Sequence, residues 1–200
     1  MFMPYRWLLA CGLAFASSGA WAAPALQHFQ HEQVLGTSLR MQVAGTTPAA
    51  AEAAHAAALA EIARLDAVFS TWRDDSELSR LNHAQAAMAV SPELRHVLAQ
   101  CEHWRQASDG AFSCRLGGPL QTWRAAAAGT QLPDRVQLRQ QARALAQLEP
   151  QVDAATLLPL PGLQWQVDGI AKGYILDRAL QQARHAAPDA QGIALDIGGD

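Results

Sequence analysis

The segment 165–178, WQVDGIAKGYILDR, contains the residues best suited to binding a phosphate group. A strand-like stretch runs into Asp168-Gly169, and a helix is predicted to begin near Ile170. The first amides of a helix lack partners inside the helix, and together with the helix dipole they attract anions. Lys172 adds a positive charge, and the glycines on either side of it leave room for a ligand. This spacing favours a phosphate site, although an ordinary strand-to-helix turn with a solvated lysine has the same spacing, and neither a GxGxxG nor a P-loop pattern is present.

Two other segments place chemically useful residues directly after helices. Trp72 lies in the polar stretch STWRDD, where an aromatic ring is either a stacking surface for a planar ligand or part of a small satellite core. Asp109-Gly110-Ala111 follows a later helix. Asp109 is suited to accept a hydrogen bond from a ligand, whereas a glycine at such a place commonly serves only to end the helix.

The elements that must position these residues alternate between helices and short strands. A hairpin is predicted over 27–43, with Gly36-Thr37 at its turn or bulge. Segment 111–123 is predicted as loop and strand, with a tight bend at Gly117-Gly118-Pro119. Helices are predicted over 48–69, 76–82, 91–108, 135–148 and 170–186, and further strands over 163–167 and 192–197, the last of a buried type. This order predicts an α+β fold with a mixed sheet and packed helices.

Composition limits the class of protein. The chain has 200 residues, of which half are hydrophobic and 16% are charged, and its formal net charge is −3. A basic stripe is absent from the sequence, so binding to nucleic acid is not expected. Arg6, an apolar run to residue 16 and Ala20-Trp21-Ala22 predict a signal peptide over 1–22, followed by one domain over 23–200. The expected location is the periplasm, with a membrane-anchored N-terminus or a lipoprotein at Cys11 as alternatives.

The cysteines and histidines contribute less. Export would permit a disulfide between Cys101 and Cys114, but the sequence does not decide whether they pair. His28 and His31 would face opposite sides of a strand and are predicted to be solvated rather than metal ligands. His96 and His103, one heptad apart on a helix, are predicted to lie on a partly exposed face.

Taken together, and in their order along the chain, the three segments resemble the ApbE-type FAD:protein FMN transferases. The resemblance covers roughly residues 30–200 and is carried by VLGTSLRMQV, FSTWRDDSELSRLN, ASDGAFS and VDGIAKGYILDRAL. It implies that Leu35 lies in a turn beside FAD, that Trp72 faces the isoalloxazine with Thr71 and Arg73 alongside, and that Lys172 lies near the pyrophosphate. It also implies that Gly169 offers its carbonyl to Mg²⁺, and that the flavin-contacting loop is formed by Asp109, Gly110 and Ala111.

The sequence departs from the family pattern in three respects. Gln166 stands where the family has an acidic FAD contact, and Asp168 is the nearest replacement. Ser113 and Cys114 stand where the family has Asp and often Pro. The family also continues past the final Gly-Gly-Asp, which implies that this chain is the N-terminal and central part of a longer protein. The remainder would carry the Asp and Thr side chains that complete the metal site.

The reaction implied is Mg²⁺-dependent transfer of FMN from FAD to a threonine of an acceptor protein, with release of AMP. The general base is not identifiable in this sequence. The implied partners are FAD and the acceptor, through which the protein would associate with the inner membrane. Two alternatives remain open at this point: an FAD pyrophosphatase that produces FMN and AMP, and an exported flavin-binding protein without catalysis.

Overall fold

The computed structural model describes residues 25–129 and 132–198, so the predicted signal peptide lies outside the described residues. The chain begins there with an antiparallel hairpin of β1 (Leu26–Val34) and β2 (Thr37–Ala44). Its turn residues, Leu35 and Gly36, both have positive φ, at 50° and 78°. That conformation matches the right-handed twist of paired strands, and it confirms the predicted hairpin.

Six helices occur within the described ranges, and α1 and α6 form the most extensive helix–helix contact among them. Thr47, Ser76, Ser91 and Asp134 each cap a helix by accepting a hydrogen bond from a backbone amide of its first turn. The helices are α1 (Pro48–Phe69), α2 (Glu77–His83), α3 (Pro92–Ala107), α4 (Gly117–Ala128), α5 (Arg135–Ala146) and α6 (Asp168–Ala186). Five of them confirm predicted helices, with ends that differ by no more than two residues.

The sheets are small. The remaining strands are β3 (Met88–Ala89), β4 (Thr156–Leu157) and β5 (Gly192–Ile197), and the main sheet has the order β1-β2-β5. The α+β class is confirmed, and every pairing between the described strands is antiparallel. In the central strand, alternate residues Leu39, Met41 and Val43 are buried. The buried type predicted for β5 is wrong, because β5 is an outer strand of the described sheet and only its Ile197 is buried.

Two element predictions are wrong. Segment 111–123 contains the start of α4 rather than a strand, because Gly117-Gly118-Pro119 forms the first helical turn, where proline needs no amide partner. A Cβ on Gly117 would lie 2.6 Å from the Cβ of Gln164, so this glycine serves close packing. Residues 163–167 form an irregular segment instead of a strand, since the side chain of Asn82 binds both backbone groups of Trp165, at 2.8 and 2.9 Å.

A polar cluster inside the core joins α3 to the segment before α4. Cys101 and Cys114 are buried and form a disulfide, which answers the question left open by the sequence. Arg115, only 2% exposed, donates to Glu102 at 2.8 and 2.5 Å and to the carbonyl of Leu145 at 2.7 Å. Burial acts to raise the pKa of Glu102, but hydrogen bonds and charges from Arg115 and Arg105 outweigh it and lower that pKa overall.

The histidines follow the predictions in part. His28 is exposed, and so are His96 and His103. His31 is not a solvated residue, because its Nε2 lies 2.7 Å from Nε2 of His55 on α1. Burial of His55 lowers its pKa, and the neighbouring His31 lowers that pKa further, while Glu52 raises it. Across the described residues, no helix is both long enough and apolar enough to span a membrane.

Candidate functional site

A cavity of about 620 Å³ lies where the β1–β2 turn, the end of α1 and the start of α6 meet. Its wall includes six of the residues to which the resemblance assigns a contact with FAD or Mg²⁺, and they come from three separate segments: Leu35, Thr71, Trp72, Arg73, Gly169 and Lys172. The fold thus brings together residues that are up to 137 positions apart in the chain, from Leu35 to Lys172. Asp66 and Asp168 also face this cavity, so it contains charges of both signs.

The start of α6 presents free backbone donors at this cavity. The amides of Ile170 and Ala171 both donate to the carbonyl of Val167, at 2.9 Å each. The amides of Asp168 and Gly169 precede the first helical hydrogen bond and have no acceptor within the helix. Both residues are exposed, and a Cβ on Gly169 would lie 3.1 Å from the Phe112 ring, so any side chain at this position would be crowded.

Lys172 is the available cation of the cavity. Its side chain is exposed, and within the described ranges no carboxylate lies within salt-bridge distance of its amine. Arg73 is different, since it donates twice to Asp75 at 3.0 Å and lies 3.6 Å from Asp66. The hydrogen bonds from Arg73 lower the pKa of Asp75. Lys172 therefore keeps its charge free for an anion, whereas the charge of Arg73 is largely balanced by two carboxylates.

Gln166 connects the two sides of the cavity without lining it. Its Nε2 donates to the hydroxyl of Thr71 at 3.2 Å and to the carboxylate of Asp168 at 2.5 Å. The side chain therefore links the loop after α1 to the first turn of α6. The Asp168 carboxylate is thus held beside Gln166, and its service as a replacement for an acidic FAD contact stays a prediction.

Trp72 is an exposed aromatic surface and not a core residue. Its side chain is 76% exposed, which rules out the satellite-core alternative. The guanidinium carbon of Arg124, on α4, lies 4.7 Å from the centre of its ring, within the range of a cation–π contact. Arg124 was missed in the sequence because the first part of its helix, within segment 111–123, was predicted as loop and strand, and no local pattern indicates this contact.

The Asp109-Gly110-Ala111 loop does not form part of the cavity wall. Asp109 and Gly110 have φ of 50° and 80°, and their amides donate back to Gln106 and Arg105, which is the Schellman arrangement that ends α3. The residue that follows the loop, Phe112, lies near the cavity, because its ring would be 3.1 Å from a Cβ placed on Gly169. A flavin contact from this loop stays a prediction.

The described residues do not form a complete magnesium site. Mg²⁺ requires about six oxygen ligands, and of the two carboxylates in the cavity wall, Asp168 and Asp66, the second is paired with Arg73. Over residues 25–129 and 132–198, no group of three or more His, Cys, Asp or Glu side chains is placed to hold a metal ion.

The sequence profile of the ApbE family matches residues 35–200. The chain belongs to the ApbE family. It is 30% identical to the FAD:protein FMN transferase of Treponema pallidum, in an alignment that covers 96% of this chain and 56% of that protein. This agrees with the resemblance drawn from the motifs.

Solved ApbE structures share the fold. The apo form of Pseudomonas stutzeri flavinyl transferase ApbE superposes with a TM-score of 0.73 at 24% identity, and covers 89% of this chain and 60% of that one. The flavin transferase ApbE from Vibrio cholerae gives a TM-score of 0.72 at 19% identity, with 88% and 58% covered. The chain therefore spans less than two thirds of the length of these relatives.

Proposed function

We propose that the protein containing this chain transfers FMN from FAD to a threonine of an acceptor protein and releases AMP. The observation that carries the proposal is one cavity with an exposed aromatic ring, Trp72, and an unpaired lysine, Lys172, beside the free amides that start α6. A flavin ring and a pyrophosphate are the two parts of FAD that need such partners. Membership of the ApbE family and the name of the Treponema relative support the same assignment.

Each group then has a physical role in binding. The isoalloxazine stacks on Trp72, and the pyrophosphate lies against the amides of Asp168 and Gly169 with Lys172 balancing its charge. Catalysis of phosphoryl transfer consists mainly of positioning and charge stabilisation. The free charge of Lys172 therefore does more for the reaction than the balanced charge of Arg73.

Magnesium dependence is part of this proposal. The ion, when bound, would stabilise the negative charge of the pyrophosphate and the departing AMP. We propose that this chain would contribute the Gly169 carbonyl and the Asp168 carboxylate to such an ion, since both residues line the cavity. We propose that export to the periplasm places the enzyme with its acceptor, and that any association with the inner membrane occurs through that acceptor.

The experiment uses the full-length protein that includes this sequence, because the relatives are longer than this chain. Purified enzyme is incubated with FAD, Mg²⁺ and a flavin-acceptor domain, and covalent flavin is detected by fluorescence in a denaturing gel and by intact mass. The control acceptor has valine in place of the target threonine. We expect flavin on the wild-type acceptor only, and AMP in equal amount.

Other outcomes assign other functions. AMP and free FMN without labelling of the acceptor would indicate an FAD pyrophosphatase. Tight FAD binding without AMP would indicate a flavin-binding protein. Either result would refute the transferase proposal.

A further inference from the structure

A group of exposed apolar side chains lies on α4, on α5 and on the chain beside them. Leu116 is 43% exposed, Trp123 49%, Val136 58% and Leu132 85%. Single exposed apolar residues are normal, but a contiguous group of them marks a surface that binds something. None of these four lines the candidate flavin cavity.

Two adjoining cavities connect three of these residues, Leu116, Trp123 and Leu132. One, of about 320 Å³, is lined by Leu116, Trp123 and Leu138, and the other, of about 440 Å³, by Trp123, Leu132 and Leu138. Because the two share Trp123 and Leu138, they form one depression along α4 and α5. We call it the α4–α5 groove.

The groove has a positive rim. Arg135 and Arg139 line it, one helical turn apart, and Arg143 is exposed one turn further along α5. Helix α5 contains no acidic residue, and within the described residues none of these arginines lies within salt-bridge distance of a carboxylate. The chain as a whole carries a formal net charge of −3, so this positive charge is a local feature.

The groove also lies next to the candidate flavin cavity. Trp123 lines the groove, and the next residue, Arg124, lies over Trp72 in the cavity wall. Gly110, from the loop that ends α3, lines the groove as well. Helix α4 therefore faces the groove with one residue and contacts the cavity with its neighbour.

We propose that the α4–α5 groove binds an acidic segment of the acceptor protein, with an apolar side chain of that segment placed against Trp123. This inference rests on the proposed function. Charge complementarity selects an acidic partner, and the concave apolar floor fits an amphipathic helix better than a flat lipid surface. The position beside Trp72 would bring the bound acceptor to the flavin.

The first test examines the chemistry of the groove without any acceptor. The probe is a fluorescent amphipathic helical peptide with leucines on one face and glutamates on the other, compared with the same peptide carrying lysines for glutamates. The variant is Arg135→Glu/Arg139→Glu, and the matched control is Arg40→Glu/Arg184→Glu, which reverses two exposed arginines elsewhere. We expect the glutamate peptide to bind the wild type and the control at least about tenfold more tightly than it binds the variant. The lysine peptide should bind the wild type and the control poorly and the variant better, because the substitutions make the rim negative.

The second test uses the acceptor domain with the full-length protein. We expect the groove variant to raise the KM for the acceptor while its affinity for FAD and its rate at saturating acceptor stay unchanged. Equal acceptor KM in the variant and the control would overturn the proposal. A groove variant that loses binding to phosphatidylglycerol vesicles but keeps the acceptor KM of the control would also overturn it, because that result would assign the groove to a membrane. Absence of flavin transfer by the wild type would refute the proposed function instead, and the peptide test would still decide the chemistry of the groove.

Discussion

Replacing Trp72 with alanine should weaken FAD binding strongly and leave the fold intact. Trp72 is 76% exposed, so its removal uncovers little apolar surface, and we expect the free energy of unfolding to change by about 0.5 kcal/mol or less. A planar ring stacked on an aromatic side chain contributes about 1–3 kcal/mol, as measured for nucleic acid bases. That range corresponds to a loss of about 5- to 150-fold in FAD affinity.

The assay is a titration of FAD by quenching of its fluorescence, combined with urea unfolding. Trp104→Ala is the matched control, because Trp104 is also an exposed tryptophan, at 52%, but lies on α3 and does not line the cavity. Trp72→Phe should retain most of the affinity, since it keeps a stacking ring. If Trp72→Ala and Trp104→Ala bind FAD within twofold of the wild type, Trp72 is not the stacking surface and the cavity assignment is wrong.

Three other measurements test separate parts of the structure. Lys172→Gln should lower FAD affinity about tenfold at low salt, and the difference should shrink as salt screens the charge. Arg115→Met should cost about 3 kcal/mol of unfolding free energy at neutral pH, because Glu102 stays buried with Arg105 as its only guanidinium partner. The pKa of Glu102 is below its usual 4.5 in the folded wild type, so the Arg115–Glu102 pair stabilises the folded protein above pH 4.5. The difference in unfolding free energy between the wild type and Arg115→Met should therefore narrow as the pH falls below that value. Reducing the Cys101–Cys114 disulfide, which closes a loop of 13 residues, should lower the unfolding free energy by about 3 kcal/mol, measured with and without reductant.

Most of the fold could be predicted from the sequence because its helices begin with strong local signals. Pro48 and Pro92 lie at helix starts behind Thr47 and Ser91, and both helices form where predicted. The missed helix, α4, begins with two glycines and a proline, which ordinarily indicate a turn. Gly117 is needed because Gln164 packs against it, and that contact between distant segments leaves no local trace.

The candidate site could be predicted only as far as its motifs are local. The residues at the start of α6 are neighbours in sequence, so the free amides and Lys172 follow from one short pattern. Arg124 reaches Trp72 only through the packing of α4, and the link between Gln166 and Thr71 joins segments that are 95 residues apart. Nothing in the local spacing of these residues indicates such contacts.

The alanine-rich composition, which has little chemistry of its own, accounts for the geometry of the cavity. The buried faces of α1 and α6 each carry three alanines at helical spacing: Ala51, Ala54 and Ala58 on α1, and Ala171, Ala179 and Ala183 on α6. These small side chains let the two helices approach closely. Arg178 on α6 lies 3.6 Å from Glu61 on α1, and the ring of Phe69 meets the edge of the Tyr174 ring on α6, with 5.7 Å between the ring centres. These contacts fix the end of α1 beside the start of α6. The aromatic ring at one end of the cavity and the phosphate-type helix start at the other are therefore set by a close-packed helix pair rather than by the loops that carry them.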